Sequence, residues 1–250
     1  MKERMKTIII IPSRLSATRL PGKPLLKING LSIISHVVQK AKNAKIGEVF
    51  VAAEDQEIID DVHKNGGNAI LTSNKHKTGT DRIHEALKKI GKSDVELVIN
   101  LQGDEPLINI DDIRTLHNQM VKTKSELGTL ASSISDEKLY QNKDVVKVIT
   151  KESFQNSEFP EADKFMRSYI EDKGFKNIYH HLGIYCYRLE ILNSFVSYPQ
   201  SKNEIKSRLE QCRALDNNIK IKVAHAKSSS IGIDTEEDFV AIKKIMEYKS

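Results

Sequence analysis

The chain has 250 residues, of which 39% are hydrophobic and 29% charged; this balance suits a globular α/β domain, and no apolar run reaches the roughly 18–20 residues that cross a bilayer. Its formal net charge is +5, but many basic residues lie among acids on helical segments, so we interpret them as solvated surface and expect no nucleic-acid partner. Cys186 and Cys212 lack metal or redox spacing and the N-terminus lacks a signal-peptide pattern, so we expect a cytoplasmic protein without a membrane partner.

Strand-like and helix-like segments alternate through the first half of the chain, which is typical of a parallel sheet with crossover helices. Runs of β-branched and apolar residues predict strands at Thr7–Ile11, Val49–Ala53, Ala69–Thr72, Leu97–Leu101 and Thr129–Ser132. Apolar residues at helical spacing predict helices over 31–44, 55–67, 79–91 and 109–121.

The pattern changes from about Val145. The segments "VVKVIT" and "HLGIYCY" predict strands on either side of a polar stretch, Lys151–Lys176, whose apolar residues lack clear periodicity. Residues 145–215 are therefore predicted to form a smaller, mixed α+β lobe of a single 1–250 domain, whose core comprises 1–144 and 216–250. The core ends with a strand in "KIKVAHAK" and a helix in "DTEEDFVAIKKIMEY", where Thr235 and Asp238 have capping-box spacing. The predicted fold is α/β, with a Rossmann-like, mostly parallel sheet and flanking helices.

The first strand leads into "RLSATRLPGKP", a loop with three cationic side chains and no acid. Loops at the carboxyl ends of parallel strands are where open α/β sheets bind ligands, so Arg14, Arg19 and Lys23 suit a polyphosphate. Gly22 permits close backbone approach. The alternative is a mobile surface loop with solvated charges. The loop is not a P-loop, because Pro24 follows Lys23, and the dinucleotide pattern G-x-G-x-x-G is absent.

Two acidic segments suggest a metal site. The strand in "VINLQGDEPLI" ends at Asp104 and Glu105, and carboxylates beside phosphates are typical ligands of hard cations. The alternative is an ordinary Gly-Asp-Pro turn. Asp234 in "GIDTEED" is either a second ligand or the N-cap of the last helix, and taken alone the cap interpretation is favoured.

Six segments occur in the order and at about the spacing of one enzyme family. They are "RLSATRLPGKP", "HKTGTDR", "VINLQGDEPLI", "HHLGIYCYR", "RLEQCRAL" and "GIDTEED". The chain resembles 3-deoxy-manno-octulosonate cytidylyltransferases, also called CMP-KDO synthetases, from Ile8 to the C-terminal helix. The resemblance implies the nucleotide-diphospho-sugar transferase fold and a reaction that joins KDO to CTP, giving CMP-KDO and pyrophosphate for lipopolysaccharide biosynthesis. It also implies Mg²⁺ as cofactor and a homodimer formed largely through the smaller lobe.

The resemblance assigns residues to each part of the nucleotide site. The triphosphate is assigned to Arg14, Ser16, Arg19 and Lys23; the base and ribose to Ala52, Ala53, Thr78, Gly79, Thr80 and Arg82; the metal to Asp104 and Asp234. Arg19, Lys23 and Asp104 are the predicted catalytic residues, since charge that moves to pyrophosphate must be stabilised. The alternative for Gly79, Thr80 and Asp81 is the N-cap of the following helix, and both roles are compatible.

The sugar acid is assigned to residues of the smaller lobe, which we take as the sugar-binding part, with 1–144 and 216–250 binding the nucleotide. They are Arg167, His181, Tyr185, Glu210 and Gln211, with Gln102 at the boundary of the two substrates, and Lys147 also falls on a family-like position. His181 and Tyr185 could instead face the core, and Glu210 could be a surface carboxylate.

Two departures from the family pattern lie in this lobe: "FMRSYIED" around Arg167, and Ser207 where a glutamate is usual. They keep a related 2-keto sugar acid, such as an amino-KDO or a sialic-acid-like sugar, as an alternative substrate. A non-catalytic nucleotide- or nucleic-acid-binding domain is the alternative from another class, but Lys23, Asp104 and Asp234 are all present.

The pair Asp104 and Asp234 also generates an electrostatic expectation. Two carboxylates that face a triphosphate repel it unless a cation lies between them, and Mg²⁺ supplies that cation. We further expect that removing one carboxylate relieves repulsion in the metal-free protein and leaves folding intact.

Overall fold

The computed structural model describes residues 5–16, 19–134, 136, 138–168, 176–229 and 232–248. The chain divides into two compact units, one of residues 1–110 with 230–250 and one of residues 111–229. The boundaries expected from the sequence, after residues 144 and 215, both lie within the second unit. The division into a nucleotide-binding core and a sugar-binding lobe stays a prediction.

The first unit is built on a parallel sheet in the order β6-β1-β4-β5. Its strands are β1 (Thr7–Ser13), β4 (Glu48–Ala53), β5 (Asn68–Leu71) and β6 (Leu97–Asn100). β1 is a central strand, and Ile8–Ile11 are at most 1% exposed because their side chains are buried on both faces of the sheet, which explains their continuous apolar run. The sheet therefore presents the carboxyl ends of its strands, where the predicted nucleotide residues lie, at one edge.

Helices accompany this sheet, together with a short antiparallel hairpin. They are α1 (Ile33–Asn43), α2 (Gln56–Lys64), α3 (Gly79–Ile90) and α9 (Glu236–Tyr248), and the hairpin is β2 (Lys27–Ile28) with β3 (Leu31–Ser32). Local capping fixes where two of them begin. The Ser32 hydroxyl accepts a hydrogen bond from the backbone N–H of Ser35 at the start of α1, and Thr78 accepts one from Asp81 at the start of α3.

The second unit has a mixed sheet. Its strands are β7 (Leu127–Ser132), β8 (Lys147–Thr150), β9 (Ala162–Met166), β10 (Ile178–Arg188) and β11 (Ile221–His225), and its helices are α4 (Ile110–Thr123), α5 (Lys138–Gln141), α6 (Leu189–Ser197), α7 (Lys202–Ser207) and α8 (Cys212–Asp216). β11 is parallel to β7, whereas the β7–β10, β10–β8 and β8–β9 pairs are antiparallel. The parallel sheet of the first unit and this mixed sheet confirm the predicted fold class.

The predicted elements of the first half coincide with observed ones within a few residues at each end. The capping box of the last helix is also confirmed, because Asp238 accepts from the N–H of Thr235 at 2.9 Å and donates its own N–H to the Thr235 hydroxyl at 3.2 Å. Strand β9 was missed. Its Asp163 and Lys164 are both exposed, so its apolar residues do not alternate as a half-buried strand requires.

Within the described ranges, no helix combines the length and the apolar character that would carry it across a membrane.

The loop after β5 is attached to α3 by Glu85. Its carboxylate accepts the backbone N–H of Ser73 at 3.0 and 3.2 Å, pairs with Lys89 at 2.7 Å and contacts the ring nitrogen Nε2 of His76. Burial alone would raise the pKa of Glu85, but the hydrogen bonds from Lys89, His76 and Ser73 outweigh it and hold the pKa at about 2. One ionised side chain therefore fixes a loop that leads into "HKTGTDR".

Replacing this carboxylate is expected to weaken the fold in a pH-dependent way. Glu85→Gln should lower the free energy of unfolding at pH 7 by about 1–2 kcal/mol, because hydrogen bonds to an ionised group are lost. Since the folded-state pKa is depressed from 4.5 to about 2, the contribution is present above pH 4.5 and declines as the pH falls towards 2. Urea unfolding of wild type and variant between pH 7 and pH 3 measures this difference.

Glu152→Gln is the matched control, since Glu152 is exposed and its carboxylate has no hydrogen bond within the described residues. Its effect should stay within about 0.5 kcal/mol at every pH. A Glu85→Gln effect that did not shrink in acid would contradict the assignment.

Candidate active site

The cationic loop after β1 is held at both ends of its described part. The backbone N–H of Leu15 donates to the carboxylate of Asp55, just beyond β4, at 2.7 Å. The N–H of Gly22 donates to the carbonyl of Leu15 at 3.2 Å, and Gly22 has φ 69°, a conformation that favours glycine. Gly22 precedes a 3-10 turn, Lys23–Leu25, with proline at its second residue. The turn therefore starts at Lys23, and the position of this lysine is fixed by local backbone geometry.

Lys23 is the centre of a cluster of opposite charges. Its ammonium nitrogen Nζ lies 2.6 Å from Asp104 Oδ2, 3.3 Å from Asp234 Oδ1 and 2.6 Å from the carbonyl oxygen of Ile233. The Arg19 guanidinium donates to the other oxygen of Asp234, Oδ2, at 2.9 Å. The Lys23 side chain is 12% exposed, so its pair with Asp104 is shielded more than a surface salt bridge would be.

Backbone pairing brings the two carboxylates together from distant parts of the sequence. The N–H of Ile233 donates to the carbonyl of Asp104 at 2.9 Å. Thr235 caps α9 with its own hydroxyl, and Asp234 directs its side chain to Arg19 and Lys23. The alternative that Asp234 is merely the helix cap is therefore wrong.

The expected repulsion between these carboxylates is also wrong. A cation does lie between Asp104 and Asp234, but it is the ammonium of Lys23. Removing either carboxylate would therefore break an ion pair with Lys23 rather than relieve crowding of like charge.

A cavity of about 390 Å³ opens around this cluster. It is lined by Pro12, Ser13, Arg14, Arg19, Lys23, Pro24, His76, Lys77, Thr78, Gly79, Arg82, Gln102, Gly103, Asp104 and Asp234. Gly103 packs closely here, because a side chain at this position would approach the carbonyl oxygen of Pro12 to 3.1 Å. The loops after β1, β5 and β6 thus meet in one concave, polar site, as expected of parallel strands.

Several predicted nucleotide residues lie outside this lining. Ala52, Ala53 and Thr80 are at most 1% exposed, and Ser16 is exposed beside undescribed residues. Thr78 rather than Gly79, Thr80 or Asp81 caps α3. For each of these residues, a role in binding the base or the phosphates stays a prediction.

Arg82 has a structural role that the sequence did not indicate. It is 4% exposed, contacts the Glu54 carboxylate, and donates to the Thr72 hydroxyl at 2.8 Å and to the Ser73 carbonyl at 3.3 Å. A buried arginine paired in this way ties the ends of β4 and β5 together. Its predicted contact with the nucleoside would have to coexist with this ion pair.

The carboxylates of Asp104 and Asp234 fit a hard cation in number and type. Both carboxylates contact the same cation, the Lys23 ammonium. Carboxylate oxygens are also the ligands that Mg²⁺ prefers when substrate phosphates and waters complete its shell. Within the described residues no group of three or more histidine, cysteine or acidic side chains could hold a metal alone. The site therefore suits a metal that arrives with a phosphate ligand.

In the second unit, two of the predicted sugar residues form a buried polar-aromatic cluster. The His181 ring nitrogen Nε2 lies 3.0 Å from the Thr129 hydroxyl, and the rings of His181 and Tyr185 are 5.5 Å apart. Burial, aided by His180, lowers the pKa of His181 to about 3. Burial and the nearby Tyr187, Glu210 and Cys212 raise the pKa of Tyr185 well above 10. Both side chains are thus neutral at pH 7 and suited to hydrogen bonding rather than to charge pairing.

Arg167 and its neighbours supply positive charge in this unit. Its guanidinium donates to the backbone carbonyls of Ser207 at 3.2 Å, Arg208 at 3.3 Å and Lys143 at 3.4 Å. The Ser207 hydroxyl donates to the Asn203 carbonyl at 2.6 Å, so this departure from the family pattern leaves its carbonyl, not its side chain, against Arg167. The other departure, "FMRSYIED", spans residues 165–172, of which only 165–168 are described.

Glu210 and Gln211 are placed by a buried ion pair that brackets them. Arg213 donates to both oxygens of Glu204, at 2.6 and 2.8 Å, and both side chains are at most 4% exposed. Ser201 and Glu204 form a reciprocal capping box at the start of α7. The short segment between α7 and α8, which carries Glu210 and Gln211, is therefore held from both sides.

Sequence reasoning missed several residues that build these sites. Glu54, Asp55 and Glu85 hold the loops of the cavity, and a signal for the first two was their position directly after β4. His76 and Lys77 line the cavity and stand inside "HKTGTDR", but were given no role. Glu204 and Arg213 have ordinary helical spacing and offered no such signal.

Comparison with known proteins identifies the family. A family model described as cytidylyltransferase matches residues 8–221. A 3-deoxy-manno-octulosonate cytidylyltransferase of Thermodesulfovibrio yellowstonii is 42% identical over 97% of this chain and 98% of its own length. A solved CMP:2-keto-3-deoxy-manno-octonic acid synthetase complexed with CTP aligns with TM-score 0.87 and 33% identity over 98% of this chain and 100% of its own.

A UDP-glucose pyrophosphorylase complexed with UDP-glucose shares the fold alone, with TM-score 0.73 and 14% identity over 98% of this chain and 100% of its own. The relatives of higher identity cover the strands, loops and helices that form both groups of site residues. The chain belongs to the 3-deoxy-manno-octulosonate cytidylyltransferase family.

Proposed function

We propose that this protein transfers the cytidylyl group of CTP to KDO, giving CMP-KDO and pyrophosphate for lipopolysaccharide biosynthesis. The anomeric hydroxyl oxygen of the sugar forms a bond to the α-phosphorus while the bond to the pyrophosphate oxygen breaks, and the hydroxyl proton passes to solvent. One observation carries the proposal. A single cavity joins the cations Arg14, Arg19 and Lys23 to the carboxylates Asp104 and Asp234 at the carboxyl ends of parallel strands.

Binding of the triphosphate would require an exchange of partners at Lys23 and Arg19. In the structure both cations pair with carboxylates. The phosphate oxygens of CTP offer them stronger negative charge, and charge that develops on the departing pyrophosphate can then be stabilised by the same side chains. Arg19 and Lys23 are therefore proposed as the catalytic cations.

The same exchange would release the carboxylates for Mg²⁺. Asp104 and Asp234 are the proposed ligands, and phosphate oxygens would complete the shell. When bound, the metal would supply Lewis-acid stabilisation of phosphate charge. Because Lys23 lies between the two carboxylates, the proposal also implies that the cation binds weakly without nucleotide.

The sugar acid is proposed to bind residues of the second unit, with Gln102 of the first unit also assigned to it. The Arg167 guanidinium is the proposed partner of the sugar carboxylate, and the neutral His181 and Tyr185 side chains are suited to hydroxyl groups. Gln211 is 6% exposed beside Glu210 and supplies further polar atoms. Homodimer formation and a cytoplasmic location are proposed on the family resemblance.

Nucleotide choice tests the base site. CTP should exceed UTP, ATP and GTP in kcat/KM by about a hundredfold or more, since a buried hydrogen-bonding site rejects mismatched base edges by a few kcal/mol. Pyrophosphate release with KDO and each nucleotide measures this preference. Comparable turnover with UTP would contradict the assignment of the Thr78–Arg82 segment to the base.

Neutralising either carboxylate tests the metal. Asp104→Asn and Asp234→Asn should each lower kcat by about a hundredfold or more, a barrier increase of roughly 2.7 kcal/mol. EDTA should abolish wild-type turnover and Mg²⁺ should restore it. Mn²⁺ binding followed by electron paramagnetic resonance gives a readout apart from activity, and both variants should lose the binding that CTP induces in the wild type.

Glu236→Gln is the control for this pair, because Glu236 is an exposed acid in the first turn of α9. Its kcat and Mn²⁺ affinity should stay within about twofold of wild type. Strong Mn²⁺ binding by the wild type without CTP would refute the exchange at Lys23, and near-normal kcat in a variant would refute that residue as a ligand.

Removing Arg167 tests the sugar site. Arg167→Ala should raise the KM for KDO by about tenfold or more and leave the KM for CTP within about twofold, because only the sugar loses its charge partner. Arg114→Ala, which removes a partly exposed arginine paired with Asp111 on α4, should change neither. Loss of CTP binding with an unchanged sugar KM would reverse the assignment.

A further inference from the structure

Lys147, the first residue of β8, is buried completely, with 0% exposure. Its Nζ donates to the backbone carbonyls of Asn142 at 2.5 Å, Val145 at 2.8 Å and Arg167 at 2.9 Å. Three donated hydrogen bonds require the protonated ammonium, since a neutral amine carries only two hydrogens. A charged lysine is thus buried in the second unit, and each of its three N–H groups donates to a backbone carbonyl.

No carboxylate takes part in this arrangement within the described residues. Lys147 and Arg167 are both cations, and the six hydrogen bonds that they donate to described residues all run to backbone carbonyls. Burial, followed by the charge of Arg167, lowers the pKa of Lys147. Among the described residues, carbonyl dipoles stabilise the two charges without cancelling them.

The side chains of Lys147 and Arg167 both form hydrogen bonds with the 142–145 turn. The Lys147 ammonium donates to the carbonyl of Arg167 and to two carbonyls of the 142–145 turn. The Arg167 guanidinium donates to the carbonyl of Lys143 in the same turn. Strand pairing sets the approach, because Lys147 lies opposite Met166, the residue before Arg167. The backbone that carries Arg167 is therefore fixed by Lys147.

The Arg167 guanidinium also contacts the backbone beside Glu210 and Gln211. The carbonyls of Ser207 and Arg208 accept from its guanidinium, and Arg208 has φ 54°, the left-handed cap that ends α7. Displacing the Arg167 backbone would therefore move its guanidinium relative to the other proposed sugar residues. Errors of about 1 Å in such positioning cost large factors in rate.

We propose that Lys147 is a positioning residue for the sugar acid: it fixes the backbone of Arg167, so that the Arg167 guanidinium is placed for the substrate carboxylate. This proposal rests on the proposed function, in which Arg167 binds that carboxylate. A merely structural lysine would affect both substrates through stability. A positioning lysine affects the sugar acid through Arg167.

The test is a double-mutant cycle in the full-length enzyme. Lys147→Met should raise the KM for KDO by about tenfold or more while the KM for CTP stays within about twofold. In an Arg167→Ala background the same change should alter the sugar KM by less than about threefold, since the residue it positions is gone. Lys151→Met is the matched control, because Lys151 is the exposed lysine that directly follows β8, and it should change neither KM.

Lys147→Gln is the second variant, in case the methionine variant does not fold. It keeps a side-chain amide with two N–H donors and removes the charge, so the KM for KDO should rise less than in Lys147→Met, with the KM for CTP again unchanged. Thermal unfolding of every variant accompanies the kinetics. A variant that loses affinity for both substrates together, or that fails to fold in both forms, assigns Lys147 a structural role and overturns the proposal.

The outcomes separate this proposal from the proposed function. If Arg167→Ala raises the sugar KM and Lys147→Met does not, or if the two effects multiply, the positioning role is refuted and the sugar site stands. If Arg167→Ala leaves the sugar KM unchanged, the sugar site itself is refuted, and the role of Lys147 falls with it.

Discussion

The ion pairs of Lys23 with Asp104 and Asp234 set the state of the whole nucleotide site. They place a cation where two carboxylates converge, so the charges of this cluster neutralise one another. In the proposed exchange, a tetraanionic nucleotide and a divalent metal would enter together, with Lys23 passing to phosphate and the metal to the carboxylates. Each state keeps opposite charges adjacent, which avoids the cost of leaving a partly buried charge unpaired.

This balance depends on loops that the sheet alone does not fix. Parallel pairing of β1 with β4 and β6 brings strand ends to one edge, but each loop there also has its own attachment. Asp55 holds the loop after β1, Glu85 holds the loop after β5, and the Ile233–Asp104 backbone bond joins the two acidic segments. These attachments use side chains or backbone outside the reacting groups, so the site is preformed on a rigid frame.

The sequence predicted what local patterns determine. Helical spacing, β-branched runs and the Thr235–Asp238 capping box identified the main elements, and residues such as Lys23 and Asp104 stood out because acids and bases were segregated at strand ends. Partner choice was not predictable, because it depends on which distant segments meet. Lys23 was assigned to phosphate, yet its partners in the structure are Asp104 and Asp234. Nothing in "VVKVIT" indicates that its lysine is buried against three carbonyls.

The two units hold their cations in different ways, and the difference suits their proposed ligands. In the first unit Lys23 and Arg19 face carboxylates, which would supply the acidic oxygens that the proposed metal requires when it accompanies a triphosphate. In the second unit the described partners of Lys147 and Arg167 are backbone carbonyls, and the sugar acid proposed to bind Arg167 is an anion that would arrive without a metal. A carboxylate beside Arg167 would have competed with the sugar acid for the same guanidinium. Backbone carbonyls orient the guanidinium with partial charges only, so a substrate carboxylate can add to the arrangement without first displacing an ion pair.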